Sequence, residues 1–219
     1  MSFEIPRAIA VVDAGATNTK IVLFSSKGLP LAERKVASRH VESPPYRHID
    51  PGPVAAFCRE ALSDLDRIAP IDVVVPCAHG AALAGLAQDG SLALPVMYYT
   101  AEPPRQIVDE YRRIEPPFSE VFCPLLPMAL THGLQLYWQE RAFPAEFAKI
   151  VTLITWIQYV GFLLSGKAVS EISSLSCPCA QLGSVVPTDG KCVGDDWGAQ
   201  AGIQRTCIPR RRAGACWRS

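Results

Sequence analysis

The opening of the chain admits few folds. Two short apolar, β-branched runs, residues 8–12 and 20–24, flank the bend Asp13-Ala14-Gly15-Ala16-Thr17-Asn18-Thr19. Runs of this kind read as strands. The Gly, Thr and Asn between them are turn chemistry. The pair is therefore predicted as an antiparallel hairpin. Ser26-Lys27-Gly28 forms a second turn and residues 31–37 a third strand, so the chain opens on a meander.

Residues 40–52 read as loop, after which Pro53 suits a first helical position. Val54, Phe57, Ala61, Leu62, Leu65 and Ile68 recur at three- and four-residue steps and predict an amphipathic helix. Residues 71–75 form an unbroken apolar run ending at Pro76, the pattern of a parallel strand buried on both faces. Residues 83–87 and 92–97, around Asp89-Gly90, predict a second hairpin. A helix is expected from Pro103-Pro104 through Ile114, ended by Pro116-Pro117. A loop-rich stretch follows, then helices over 134–140 and 144–164, the last capped at Ser165-Gly166. Strand-strand-strand-helix-strand-helix is an α/β order.

Composition narrows the function. Lysine plus arginine and aspartate plus glutamate each total 21, so a generally basic nucleic-acid binder is excluded. With 49% apolar and 19% charged residues, the chain can bury a core. The N-terminus has no basic region followed by an apolar one, so no secretory signal is expected. Residues 150–164, the longest apolar stretch, are broken by Thr152, Thr155 and Gln158 and fall short of a membrane span. Cys58, Cys77 and Cys123 are scattered singly, as buried thiols of a reduced compartment are, and the expected address is cytoplasmic.

Between its strands, Asp13-x-Gly15-x-Thr17-Asn18-Thr19-Lys20 can aim backbone N–H groups and hydroxyls at a phosphate. Asp13 could hold Mg²⁺ through water, and Lys20 or Thr17 could steady phosphoryl oxygens. An ordinary hairpin turn is the plain alternative. Neither a P-loop nor a G-x-G-x-x-G motif is present.

Residues 11–20 resemble the first phosphate-binding motif of the FGGY family of carbohydrate kinases, within the actin-like ATPase superfamily. Three further segments are similar in the same order. Val74-Val75-Pro76-Cys77-Ala78-His79-Gly80-Ala81-Ala82 resembles the family's central strand and sugar-side turn. Leu94-Pro95-Val96-Met97-Tyr98-Tyr99 resembles the next segment, and residues 158–175 the segment that contacts the sugar. The branch with rhamnulose and fuculose kinases looks nearest. The resemblance implies a ribonuclease-H-like fold, a mixed sheet with helices on both faces. It also implies ATP-dependent phosphorylation of a sugar or polyol hydroxyl. Asp13 would organise Mg²⁺-ATP, with Gly15, Thr17, Asn18 and Lys20 near the β- and γ-phosphates. The sugar would lie over His79, Gly80, Tyr98, Tyr99, Glu171 and Ser174.

Departures from the family shape the expectation. Tyr98 stands where the family carries an aspartate facing the sugar, and a phenol with a pKa near 10 cannot supply an ionised acceptor at neutral pH. The chain is about half the family's usual length, and no general base can be assigned, although proton abstraction needs one within hydrogen-bond reach. The similarity stops after Leu175. Residues 1–175 are thus expected to form an incomplete kinase N-terminal domain. Residues 176–219, rich in Cys, Arg and Gly, are expected to be disordered or read out of frame. Cys177-Pro178-Cys179 with Cys192 lacks the spacing of a zinc site.

The expected chain is a truncated, impaired kinase. Its uncovered apolar inter-domain face would favour self-association. A non-catalytic sugar- or nucleotide-binding domain is the alternative. An actin-like structural or chaperone ATPase is the third reading.

Overall fold

The computed structural model describes residues 7–42, 44–115, 117–121 and 124–169. In chain order the elements are β1 (Ala8–Ala14), β2 (Asn18–Ser25), β3 (Pro30–Ala37), β4 (His40–Val41), β5 (His48–Ile49), α1 (Pro51–Asp66), β6 (Val73–Ala78) and β7 (Leu83–Leu86). They continue with β8 (Val96–Met97), α2 (Arg105–Tyr111), α3 (Phe118–Val121), α4 (His132–Ala142), α5 (Pro144–Phe147), β9 (Thr152–Thr155) and α6 (Trp156–Ser165).

The meander forms as expected. β1 pairs antiparallel with β2 from Ala8↔Ser25 to Ala14↔Thr19, β2 pairs with β3, and β6 joins β1 in parallel, giving the order β3-β2-β1-β6. Alternation then decides the faces. Ala8, Ala10, Val12 and Ala14 of β1 and Ile21 and Leu23 of β2 are buried. They share one cluster with Val54, Cys58, Ala61 and Leu65 of α1 and Tyr159 and Val160 of α6. Three alanines on that side of β1 leave room for the larger side chains above. Both helices therefore pack on this side, and Val11 and Asp13 on the other are half-buried. A helix for that second face is not among the described residues.

Several expectations are corrected. Helix α1 begins at Pro51, because the Asp50 carboxylate caps it by accepting from Gly52 N at 2.9 Å. Pro53 then lies within the first turn, where no intrahelical N–H bond is needed. Strand β6 is parallel but not buried on both faces: Val73, Val74 and Val75 are 39–42% exposed, and no described strand pairs with its outer edge. An edge explains why Pro76 is tolerated within the strand. Cys77 on that strand is exposed, whereas Cys58 is buried and burial pushes its thiol up to about 11.

The second hairpin is only partial. Its turn closes through Ala87 N to Ser91 O, but β8 leaves to pair with β5, and β7 pairs with β9 instead. Residues 144–164 are not one helix. β-Branched Thr152, Ile154 and Thr155 lie in β9 beside β7, an override of helical pattern by tertiary pairing. Gly85 makes room for this pairing, since a Cβ there would stand 2.6 Å from Ile150 Cδ1. Gly166 ends α6 in the left-handed region at φ 69, as expected. The expected helix from Pro103-Pro104 ends at Tyr111 rather than Ile114, and one-turn α3 was not foreseen. Expectations on Cys123, Glu171, Ser174 and the 176–219 tail lie outside the described residues.

Candidate functional site

Parallel pairing of β1 and β6 sets Asp13 beside Cys77 and Ala14 beside Ala78. The bend after β1 and the turn after β6 therefore leave the sheet side by side at its carboxyl end, where open α/β sheets bind ligands.

The bend is held by a small network. Gly15 N donates to Asn18 O at 3.0 Å, and Ser38 N donates to Thr17 O at 3.0 Å. Ser38 Oγ donates to Gly15 O at 2.8 Å and lies 3.4 Å from Thr19 Oγ1. Thr19 is buried, Thr17 is exposed at the tip, and Asp13, Gly15, Asn18 and Lys20 are half-buried. Asp13 and Lys20 face each other across the ladder. A Cβ on Gly15 would sit 3.0 Å from the Asn18 carbonyl oxygen. Gly15→Ala is accordingly expected to cost about 1–3 kcal/mol through overpacking against fixed backbone. Urea denaturation measures this, and an unchanged midpoint would mean that the bend is slack.

The bend gathers a close-approach glycine, an exposed threonine, and a carboxylate and an ammonium on one face. Among the described residues no group of three or more His, Cys, Asp or Glu could hold a metal ion. Asp13 could supply a single carboxylate, the protein's usual share where magnesium is held mainly by phosphate and water.

Beside the second turn lies a pocket of about 440 Å³, lined by His79, Gly80, Ala81, Tyr99, Leu126, Leu130, His132, Thr155 and Ile157 among others. That volume suits a small ligand. A separate, narrow space beside the bend is lined by Gly15, Thr19, Ser38, Arg39, His40, His79 and Trp156 among others. His79 lines both spaces. Its Nδ1 lies 2.9 Å from the Gly80 carbonyl oxygen, an acceptor, so Nδ1 carries the hydrogen. Burial holds its imidazole below the usual histidine range. Neutral at pH 7, His79 offers Nε2 as an acceptor for a ligand hydroxyl.

Tyr98 and Tyr99 have ring centroids 4.4 Å apart, and the Tyr98 hydroxyl donates to that of Tyr99 at 3.2 Å. His79 meets both rings edge-on, His40 lies 3.8 Å from the Tyr98 ring, and Arg47 stands 5.1 Å over it. Arg47 is steadied by Glu42 at 2.8 Å and by Thr100 Oγ1 at 2.7 Å. Burial, then the bond to Tyr99, pushes the Tyr98 phenol up to about 12, so it stays neutral. Tyr99 lines the pocket, while Tyr98 packs behind it in the core.

The structure thus brings Asp13, Gly15, Thr17, Asn18, Lys20, His79, Gly80, Tyr98 and Tyr99 to one end of the molecule. Sequence reasoning missed His40, Arg47, Leu126, Leu130, His132, Thr155 and Ile157. They come from segments read as loop or as one long helix, and no local pattern marks them.

No protein-family model and no curated protein matches the chain. Solved structures do. A carbohydrate kinase from Novosphingobium aromaticivorans is 32% identical, with a TM-score of 0.75 over 87% of this chain and 41% of its own. A ligand-bound xylulose kinase from Lactobacillus acidophilus matches at 18% identity and TM-score 0.69, over 90% of this chain and 40% of its own. A Plasmodium falciparum glycerol kinase with ADP matches at 11% identity and TM-score 0.59, over 82% and 38%. The chain spans about two fifths of the length of these kinases. No helix among the described residues is long and apolar enough to cross a membrane. With its sheet order β3-β2-β1-β6 and these matches, the chain has the mixed α/β fold of the actin-like ATPase N-terminal domain of FGGY-type sugar kinases.

Proposed function

We propose that this chain is the sugar-side N-terminal part of an ATP-dependent carbohydrate kinase. The observation that carries the reading is that His79 lines both the narrow space beside the 13–19 bend and a pocket of sugar size. Magnesium, when bound, would neutralise charge on the phosphates. Asp13 would hold it, Gly15 would let the backbone approach, and Thr17, Asn18 and Lys20 would orient the terminal phosphates. His79 and Gly80 would position the sugar against Tyr99, with Tyr98 fixing the Tyr99 hydroxyl. Glu171 and Ser174 would complete the sugar side. The apolar wall of Leu126, Leu130 and Ile157 suits a sugar bearing a methyl group, which supports the rhamnulose- and fuculose-kinase branch.

A second reading, a binding domain without turnover, is favoured by one observation. Among the described residues lining the pocket there is no carboxylate to act as a base.

Thermal shift against L-rhamnulose, L-fuculose, D-xylulose, D-gluconate and glycerol, with and without Mg²⁺-ATP, tests both readings beside an ADP-release assay. A ligand that binds only the folded state raises the melting point. The kinase reading expects a shift of several degrees by one ketose and ADP release stimulated by it. Asp13→Asn should abolish the Mg²⁺-ATP shift and keep the sugar shift. Sugar shift without sugar-stimulated ADP release selects the binding domain. ATP hydrolysis indifferent to every sugar, or no shift at all, would falsify the sugar reading.

A further inference from the structure

We infer that Gln135 is a positioning residue that sets the width of the pocket by clamping its two walls. Gln135 lies in the first turns of α4 and is 1% exposed. Its Nε2 donates to Ala81 O at 2.8 Å and also to Ala129 O. Both partners are carbonyls, which only accept, so the orientation of the amide is fixed by chemistry. Oε1 is buried and has no partner among the described residues. The amide therefore leaves one polar atom unsatisfied while its nitrogen joins two loops, an arrangement that simple core filling does not call for.

What the two loops share is strain. Ala81, at φ 53, and Met128, at φ 54, are the non-glycine residues with positive φ among those described. Side chains rarely adopt this region unless surrounding contacts hold them there. Ala81, in the turn after β6, lines the pocket, and Met128 sits between Leu126 and Leu130, which line it as well. Each wall has its own anchor as well: Trp156 N donates to Ala82 O at 2.9 Å, and Ala129 N to Tyr99 O at 3.1 Å. The Gln135 amide reaches both walls through one nitrogen. Without it the Ala81 backbone relaxes toward negative φ, and the His79–Gly80 turn shifts with it.

The ligand consequence rests on the proposed sugar reading, but the test does not. Gln135→Met keeps the side-chain length and removes both donors. In the full chain, amide hydrogen exchange in residues 79–82 and 126–131 is expected to rise about tenfold, with the β1–β2 ladder unchanged. Ala81→Gly, which removes the strain, is expected to raise the melting point by a few degrees more in the parent than in the Gln135→Met background. Exchange that rises evenly or not at all, or equal Ala81→Gly shifts in both backgrounds, overturns the clamp. Should Gln135→Met not fold, Gln135→Asn retains an amide one methylene short of bridging both carbonyls. The same local rise in exchange is then expected, and its absence overturns the inference. A sugar panel silent in the parent counts against the kinase reading, while the exchange pattern still decides the clamp.

Discussion

Replacing Trp156 with alanine is expected to destabilise the chain by about 3–5 kcal/mol, the usual cost of emptying a buried aromatic site. Trp156 is 2% exposed and is the bulkiest fully buried side chain among the described residues. It belongs to the cluster that joins the β1–β2 face to α1 and α6, and its ring stacks on Tyr159 with centroids 5.8 Å apart. Its backbone N–H donates to Ala82 O, so the residue that opens α6 is also bonded to the turn after β6. Typical domains have only about 5–15 kcal/mol of stability in total, so this single cavity takes a large share. Urea denaturation followed by circular dichroism measures the loss. Trp156→Phe, which keeps most of the volume, should recover more than half of it. A loss under about 1 kcal/mol would mean that α6 is not part of the main core, and with it the placement of the His79 turn would fail.

The same residue shows where sequence reading reaches its limit. The meander was legible because alternation along β1 and β2 is a local signal, and Asp13 through Lys20 sits between two strands whichever way the rest folds. Gly166 was legible for the same reason: a helix that must end needs a residue free to adopt positive φ. Asp50 followed by Pro51 carried a capping signal equally local, overshadowed by Pro53. Trp156 was another matter. It stands inside an apolar stretch with no clear period, and only the pairing of Thr152–Thr155 with Leu83–Leu86 breaks that stretch into strand and helix. Nothing within residues 150–164 encodes that partner. The exposure of Val73 to Val75 was hidden likewise, because an apolar run reports affinity for a neighbour and not the neighbour's presence. The bend and the His79 turn were found because each is one contiguous segment. The pocket was not, because Leu126, His132, Thr155 and Ile157 meet His79 only through the fold.

Acidification from pH 7 to 4 is expected to remove about 3 kcal/mol of stability through His132 alone. Burial holds its imidazole down to about 4, against an ordinary value of 6.5. The unfolded chain therefore takes up a proton near pH 6.5, whereas the folded chain resists until about pH 4. Between those limits the unfolded state binds more protons, so stability falls as pH falls. The contribution is complete above the unfolded value and gone below the folded one. His79, through burial, and His40, through burial, then Arg47 and His79, are depressed as well and act with the same sign. His132→Asn isolates the one share: its urea midpoint should fall less steeply than the parent's between pH 6.5 and 4. Parallel profiles for the two proteins would show that His132 is solvated in the folded state. That outcome would also open the pocket wall that His132 helps to form, since a histidine wet enough to titrate normally cannot be 1% exposed. The acid limb therefore tests the depth of the pocket as well as the stability of the fold.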